Sequence, residues 1–382
     1  MPHVVVLGGG FGGLAAVHEL QSRLGDGVDV TLVDRGDRFF MGFAKLWDLA
    51  GIRPLEEGSA PLSALTARGV RFVQADVTAV DAHARRVETS AGPLEADALL
   101  VALGAPSRRE HAELLSGAGS HDLYDPASLP AIRRSLEEID TGRVLVALLG
   151  GPFKCPPAPF EAVLLVDELL RRRGVRDRVD VSISTFQPVT LPVAGPDASS
   201  YVAGHLAERD IELLAGRAVT GVDAASHVVR FEDGSEARYD LLLGVPACAP
   251  PQAVRESALA GSSGWIEPDR HTLRTSFEGV YAVGDCTLVP TAKGQLPKAG
   301  VFAAGEAEVA AANIAADLGG GPGATFDGHG FCFLELPGRR VAFVEGDFFA
   351  EPEPDVQLSE ADEERFARKQ AYERERLAAW LG

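Results

Sequence analysis

Lysine is scarce in this chain of 382 residues. Of its 36 basic residues only Lys45, Lys154, Lys293, Lys298 and Lys369 are not arginine. Acids number 55, and the resulting net charge of −19 excludes nucleic acid as a partner, because its phosphates would be repelled. Four cysteines are too few for a disulfide framework in so long a chain, so each is judged alone as buried, ligating or reactive. The nine histidines are scattered and no C-x-x-C occurs, so no metal site is expected. No apolar run reaches the ~20 residues needed to span a bilayer. Met1-Pro2-His3 passes straight into Val4–Leu7 with no basic region or cleavage site, so no secretory signal is expected and a cytoplasmic location is. What the chain does hold is ordinary globular material, 46% hydrophobic and 24% charged, which excludes wholesale disorder. At roughly 150 residues per domain it predicts two or three domains.

The strongest motif comes first. An apolar strand, Val4 to Leu7, runs into Gly8-Gly9-Gly10-Phe11-Gly12-Gly13, a helix-compatible stretch follows, and a second strand ends in Asp34. Gly8, Gly10 and Gly13 form G-x-G-x-x-G between strand and helix, with the acid 21 residues after the last glycine. Gly8 permits the tight turn, Gly10 lets backbone approach a pyrophosphate, and Gly13 lets helix and strand pack closely. The helix amino terminus then faces the phosphates, and Asp34 can accept from a ribose hydroxyl. This combination predicts dinucleotide binding.

An internal repeat follows. Val77-Thr78-Ala79-Val80-Asp81-Ala82 returns as Val219-Thr220-Gly221-Val222-Asp223-Ala224, an offset of 142 residues, and Asp97-Ala98-Leu99-Leu100 returns as Asp240-Leu241-Leu242-Leu243. The same offset of 142 places Leu149-Gly150-Gly151 on Leu7-Gly8-Gly9, but Gly10 becomes Pro152, Gly12 becomes Lys154 and Gly13 becomes Cys155. Proline has no N–H to offer a phosphate, and a cysteine is expected at the close-packing position. The second strand of this copy, Val179 to Thr185, also ends without a carboxylate. The second module is therefore expected to keep the fold and to have lost its nucleotide. The fold class is α/β: two Rossmann-like, three-layer domains of the FAD/NAD(P)-binding type plus a small C-terminal α+β part. The expected division is residues 1–106 and 245–318 for the first domain, 107–244 for the second, and 319–382 for a final part with a charged helix from about Ser359.

Taken together, the glycine turn, Ala102-Leu103-Gly104-Ala105 and the apolar strand ending Gly284-Asp285 resemble, in order, the two-dinucleotide-domain flavoproteins of the glutathione reductase type. Within that superfamily Lys154-Cys155-Pro156-Pro157-Ala158-Pro159-Phe160-Glu161 resembles the signature of sulfide:quinone oxidoreductases and of the flavin subunit of flavocytochrome c sulfide dehydrogenase. Leu296-Pro297-Lys298-Ala299-Gly300 and Gly330-Phe331-Cys332-Phe333-Leu334-Glu335 point the same way. The resemblance implies FAD held at Gly8, Gly10, Phe11, Gly13, Asp34, Arg35, Val77, Ala102, Gly104, Gly284, Asp285, Lys298, Ala299 and Gly300. It also places Cys332 opposite Cys155 at the flavin, where the two would form a redox pair for sulfide or a small thiol. Electrons would leave to a quinone or, as in the dehydrogenase, to a cytochrome.

Several readings stay open at this point. Cys155, ahead of a proline-initiated helix running to about Arg172 and beside Lys154, sits where negative charge is favoured, as a reactive thiol requires; an inert buried thiol is the alternative. Glu161 is either a proton acceptor or a carboxylate stabilising the helix amino terminus. Lys298 either faces the reduced flavin or lies on the surface. Cys248 and Cys286 are expected to be structural. The quinone-reducing relatives carry a third cysteine upstream of the cysteine-proline motif, and residues 116–130 hold His121 and Tyr124 but no cysteine. The dehydrogenases attach flavin through an early cysteine, and Phe40-Met41-Gly42-Phe43 offers none, so FAD is expected to be noncovalent. The terminal segment, Ser359 to Gly382, reads as a helix packed on the protein, with peripheral contact at the inner membrane face as the alternative. Two rival functions remain: an NAD(P)H-dependent flavin reductase of the type II NADH dehydrogenase kind, and a flavin-binding redox sensor or electron carrier without turnover.

Overall fold

Strands buried on both faces read as unbroken apolar runs, and the runs of this sequence become the centres of two parallel sheets. The computed structural model describes residues 1–382. In the first sheet the order is Val280–Ala282, Ala98–Val101, His3–Leu7, Asp29–Asp34 and Arg71–Gln74, every pair parallel. Val4, Val5, Val6 and Leu7 are wholly buried at its centre. The second sheet repeats that order with Ser120–Asp122, Leu241–Val245, Gly142–Leu148, Val179–Thr185 and Glu212–Ala215. Each domain adds a three-stranded antiparallel sheet, and both carry a register shift at the same point of the repeat, Val77/Ala79 and Val219/Gly221.

Helices cover the first sheet by close approach. Phe11–Leu24 lies against the Ala-rich helix Gly300–Asp317. Gly300 has no room for a side chain there, since a Cβ would meet the Phe11 ring at 2.6 Å. The last part of the chain is an antiparallel sheet of His329–Leu336, Arg340–Asp347 and Asp355–Leu358, followed by the helix Glu363–Leu381. That helix starts four residues later than the sequence suggested. The chain before it is extended, and the Ser359 Oγ accepts from the Phe343 N–H at 2.9 Å. Asp362 caps the helix instead, accepting from the Arg365 N–H at 2.7 Å.

The helix packs inward. Phe366 joins Trp47, Phe333 and Phe343, while Trp380 meets Phe11 and Phe39 with ring centroids 6.1 and 5.7 Å apart. Its apolar stripe is thus occupied by the protein itself. Met1 and Val189 are the large apolar side chains left exposed, and no helix is long and apolar enough to cross a membrane.

Candidate active site

The first glycine turn has the geometry that a dinucleotide needs. Gly8 sits at φ +107°, and a Cβ there would lie 2.2 Å from the Ala102 carbonyl oxygen. A Cβ on Gly13 would lie 1.7 Å from the Gly8 carbonyl oxygen, so helix and strand touch backbone to backbone. Around Gly10, by contrast, there is open space, at the head of Phe11–Leu24. Asp34 turns one carboxylate oxygen to the Gly9 N–H and the other to the Gly36 N–H, both at 2.6 Å. Gly8, Asp34, Arg35, Val77, Gly104 and Asp285 line one groove of about 320 Å³. Gly284, Asp285, Lys298 and Ala299 line an adjoining crevice with Glu306. Gly10, Phe11, Gly13, Ala102 and Gly300 line neither space; the Phe11 ring packs against the core and only its backbone stands at the helix head.

Lys298 is neither on the surface nor free. Its Nζ donates to the carbonyls of Asp285 and Thr287 at 3.0 and 2.9 Å and lies 3.7 Å from the centre of the Trp265 ring. Burial lowers its pKa, with the Asp285 carboxylate opposing. Glu306, buried in the second turn of the helix that follows, accepts from the Gly284 N–H at 2.6 Å, and burial pushes its pKa up to about 7.

The second turn differs from the first in length as well as in residues. Its helix is Ala158–Arg173, which starts five residues later than the offset of 142 from Phe11–Leu24 would place it. Cys155 therefore stands ahead of the helix, and not at the close-packing position inside it. The extra residues reach across to the first domain: the Cys155 N–H donates to the Lys298 carbonyl at 2.7 Å, and the Cys248 N–H donates to the Pro152 carbonyl at 2.7 Å. Cys155 is held at φ +48°, a left-handed conformation that costs a non-glycine residue about 1–3 kcal/mol. Both glycines of the second turn are closed in, as Gly8 and Gly9 are in the first. A Cβ on Gly150 would meet the His111 ring at 3.1 Å, and one on Gly151 would meet Phe186 at 2.9 Å.

Cys155 and Cys332 come together as free thiols from parts of the chain 177 residues apart. The Cys332 thiol is held well above its ordinary range, first by its interaction with the Cys155 side chain and then by burial, with Lys369 opposing. Cys248 and Cys286 are fully buried, and burial pushes their thiols up to about 11 and about 12. Both are packing residues; Cys286 points its sulfur at the Val101 and Val283 carbonyls.

Beside the thiol pair lies a charged cluster absent from the sequence reading. Lys369, on the terminal helix and with no exposed surface, pairs with Glu161 at 3.3 Å and Glu335 at 2.8 Å. Glu335 also accepts from the Trp47 indole N–H at 2.7 Å, and its backbone N–H donates to Glu161 at 2.8 Å. Glu161, in the first turn of its helix, thus turns its carboxylate to the C-terminal sheet. Burial raises its pKa, opposed by Lys369. Burial pulls Lys369 down, but the two carboxylates outweigh it and hold the ammonium above its ordinary value. Tyr124 was noted only for not being cysteine; its phenol donates to the Lys154 carbonyl at 2.6 Å, and its own carbonyl accepts from Lys45 Nζ at 2.7 Å. Burial and the like charge of Lys154 pull Lys45 down to about 8.

Two doubly wound domains, one with an open phosphate turn and one whose turn carries a thiol, define an FAD-dependent oxidoreductase fold. The chain belongs to the pyridine nucleotide-disulphide oxidoreductase family, which matches residues 2–151 and 167–312. Curated relatives include the mitochondrial sulfide:quinone oxidoreductase of Mus musculus, 24% identical over 91% of this chain and 79% of that protein. The sulfide-quinone reductase of Aquifex aeolicus is 25% identical over 84% of this chain and 77% of its own. A type II NADH:quinone oxidoreductase of Staphylococcus saprophyticus is 23% identical over 89% and 92%. The solved structure of the Aquifex aeolicus sulfide:quinone oxidoreductase superposes with a TM-score of 0.87 at 23% identity, covering 98% of this chain and 90% of that one. The shared fold extends through the C-terminal part.

Proposed function

We propose that this enzyme oxidises sulfide, or a related small thiol or persulfide, at the Cys155/Cys332 pair and passes two electrons through noncovalently held FAD to a quinone. The observation that carries the reading is the meeting of Cys332, on the C-terminal sheet, with Cys155, on a loop that replaces a phosphate turn and docks against the FAD-side Lys298. FAD supplies the two-electron acceptor. In the oxidised pair, hydrosulfide attacks one sulfur: the Cys155–Cys332 bond breaks, a new sulfur–sulfur bond forms, and one cysteine carries a persulfide while the other leaves as thiolate. A second hydrosulfide or thiol takes the outer sulfur and leaves both cysteines reduced. Their closure back to a disulfide releases two protons and two electrons. Glu161 lies beside Cys332 with its pKa raised by burial, which suits it to take the substrate proton.

The absence of cysteine from Phe40–Phe43 supports noncovalent FAD. Pro152, which has no N–H to offer where the first turn has Gly10, weighs against a pyridine nucleotide at the second turn. The test is anaerobic titration of the oxidised enzyme. Sulfide should bleach the flavin band in the wild type and fail to do so in Cys155→Ser and Cys332→Ser, with decylubiquinone restoring the colour. Fast bleaching by NADH would install the NADH dehydrogenase reading instead. Stoichiometric bleaching without steady-state quinone consumption would leave a redox sensor or carrier.

A further inference from the structure

The second domain contributes a charge to the groove of the first. Lys154 lines the same groove of about 320 Å³ as Gly8, Asp34, Gly104 and Asp285, although it belongs to the loop that carries Cys155. Its backbone is fixed from both sides: Tyr124 holds its carbonyl, and the next residue's N–H is tied to the Lys298 carbonyl. Its ammonium, however, pairs with no carboxylate and meets no hydrogen-bond acceptor, unlike Lys298 and Lys369, whose ammonium groups are fully engaged. Asp34 and Asp285 of the groove wall make no ion pair, and the cofactor adds a diphosphate, so the unpaired ammonium, like Arg35 on the same wall, meets negative charge there.

We propose that Lys154 is a cofactor-contacting residue, reaching from the second domain to the anionic part of FAD, and that through it the bound cofactor orders the Cys155 loop. By linkage, whatever FAD gains from a well-placed Lys154 the loop gains from FAD. The charge of Lys154 is already felt at Asp285, where it opposes the upward pull of burial, and at Lys45, where it adds to the downward one. The loop that presents the thiol is therefore held most firmly when the cofactor is in place.

The holoenzyme tests this without sulfide or quinone, so the outcome is independent of the proposed substrate. FAD release after dilution is followed by recovery of flavin fluorescence, at low and high salt. Lys154→Met should release FAD about tenfold faster, the size of one charge-assisted contact, and should show a weaker acceleration by salt than the wild type. Lys154→Arg should behave like the wild type. Alkylation of Cys155 in the reduced holoenzyme, mapped by peptide mass, should be faster in Lys154→Met. Lys154→Gln serves as the second variant should the methionine protein fail to fold. Wild-type release rates and an unchanged salt dependence in the neutral variants would overturn the assignment.

Discussion

Replacing Lys369 by methionine removes the one cation from the most enclosed charge cluster of the molecule. Lys369 and Glu335 have no exposed surface and Glu161 is 2% exposed. Methionine retains a stem able to pack against Phe43 and Trp47, which lie beneath the ammonium, so the change is mainly one of charge. Glu335 would keep the Trp47 N–H on one oxygen and nothing on the other, which already lacks a partner; Glu161 would keep the Glu335 N–H. Breaking a buried pair in this way costs about 3–5 kcal/mol, because an uncompensated charge stays behind. Glu161, whose pKa burial already raises, would escape part of that cost by taking up a proton, so its folded-state pKa rises further above the unfolded one. Stability from such groups is present below the unfolded pKa and lost as pH climbs through the folded one. The deficit should therefore be larger at pH 8 than at pH 5.5 in urea unfolding followed by far-ultraviolet circular dichroism. Lys369→Met/Glu335→Gln should recover part of it. A deficit below about 1 kcal/mol, or one that shrinks toward pH 8, would refute the view that this cluster holds the terminal helix to the thiol pair.

Two more outcomes are expected. Glu306, with its pKa raised from 4.5 to about 7, contributes stability that is present below pH 4.5 and lost as pH rises toward 7, on the order of 3 kcal/mol. Glu306→Gln keeps an acceptor for the Gly284 N–H and should flatten the pH dependence of unfolding across that window; an unchanged slope would count against it. Gly13→Ala drives a methyl into the Gly8 carbonyl and should cost about 1–3 kcal/mol while lowering the flavin-to-protein absorbance ratio of the purified enzyme. Full flavin content with an unchanged melting temperature would show that the turn can yield.

Legibility from sequence tracked whether a signal was local. The first phosphate turn was readable because strand, glycines and acid lie within one βαβ unit, and the repeat was readable because its strands and bulges recur in step. The offset of 142 puts Cys155 on the helix glycine Gly13, whereas its helix starts five residues later than that offset implies; the proline pair, by contrast, places Cys155 ahead of the helix, as the structure does. Glu161 stays open between two roles in the sequence, because its partners, Glu335 and Lys369, lie over 170 residues away. Tertiary docking decides such contacts, and no local pattern encodes them. One compositional signal did carry them: in a chain where arginine serves the surface, lysine is kept where a compact ammonium on a flexible stem fits an enclosed place. Lys45, Lys154, Lys298 and Lys369, four of the five lysines, surround the groove and the thiol pair, and only Lys293 is exposed.

The order of strands within the two sheets sets a timetable for synthesis. Every strand of the second sheet, from Ser120 to Val245, leaves the ribosome before Val280–Ala282, the edge strand that completes the first sheet. The later-numbered module is thus finished while its predecessor still waits for its border, and domains emerging in this way fold as units as they appear. A chain ending near residue 260 would hold every strand of the Cys155-bearing sheet beside a cofactor sheet that still lacks its border strand.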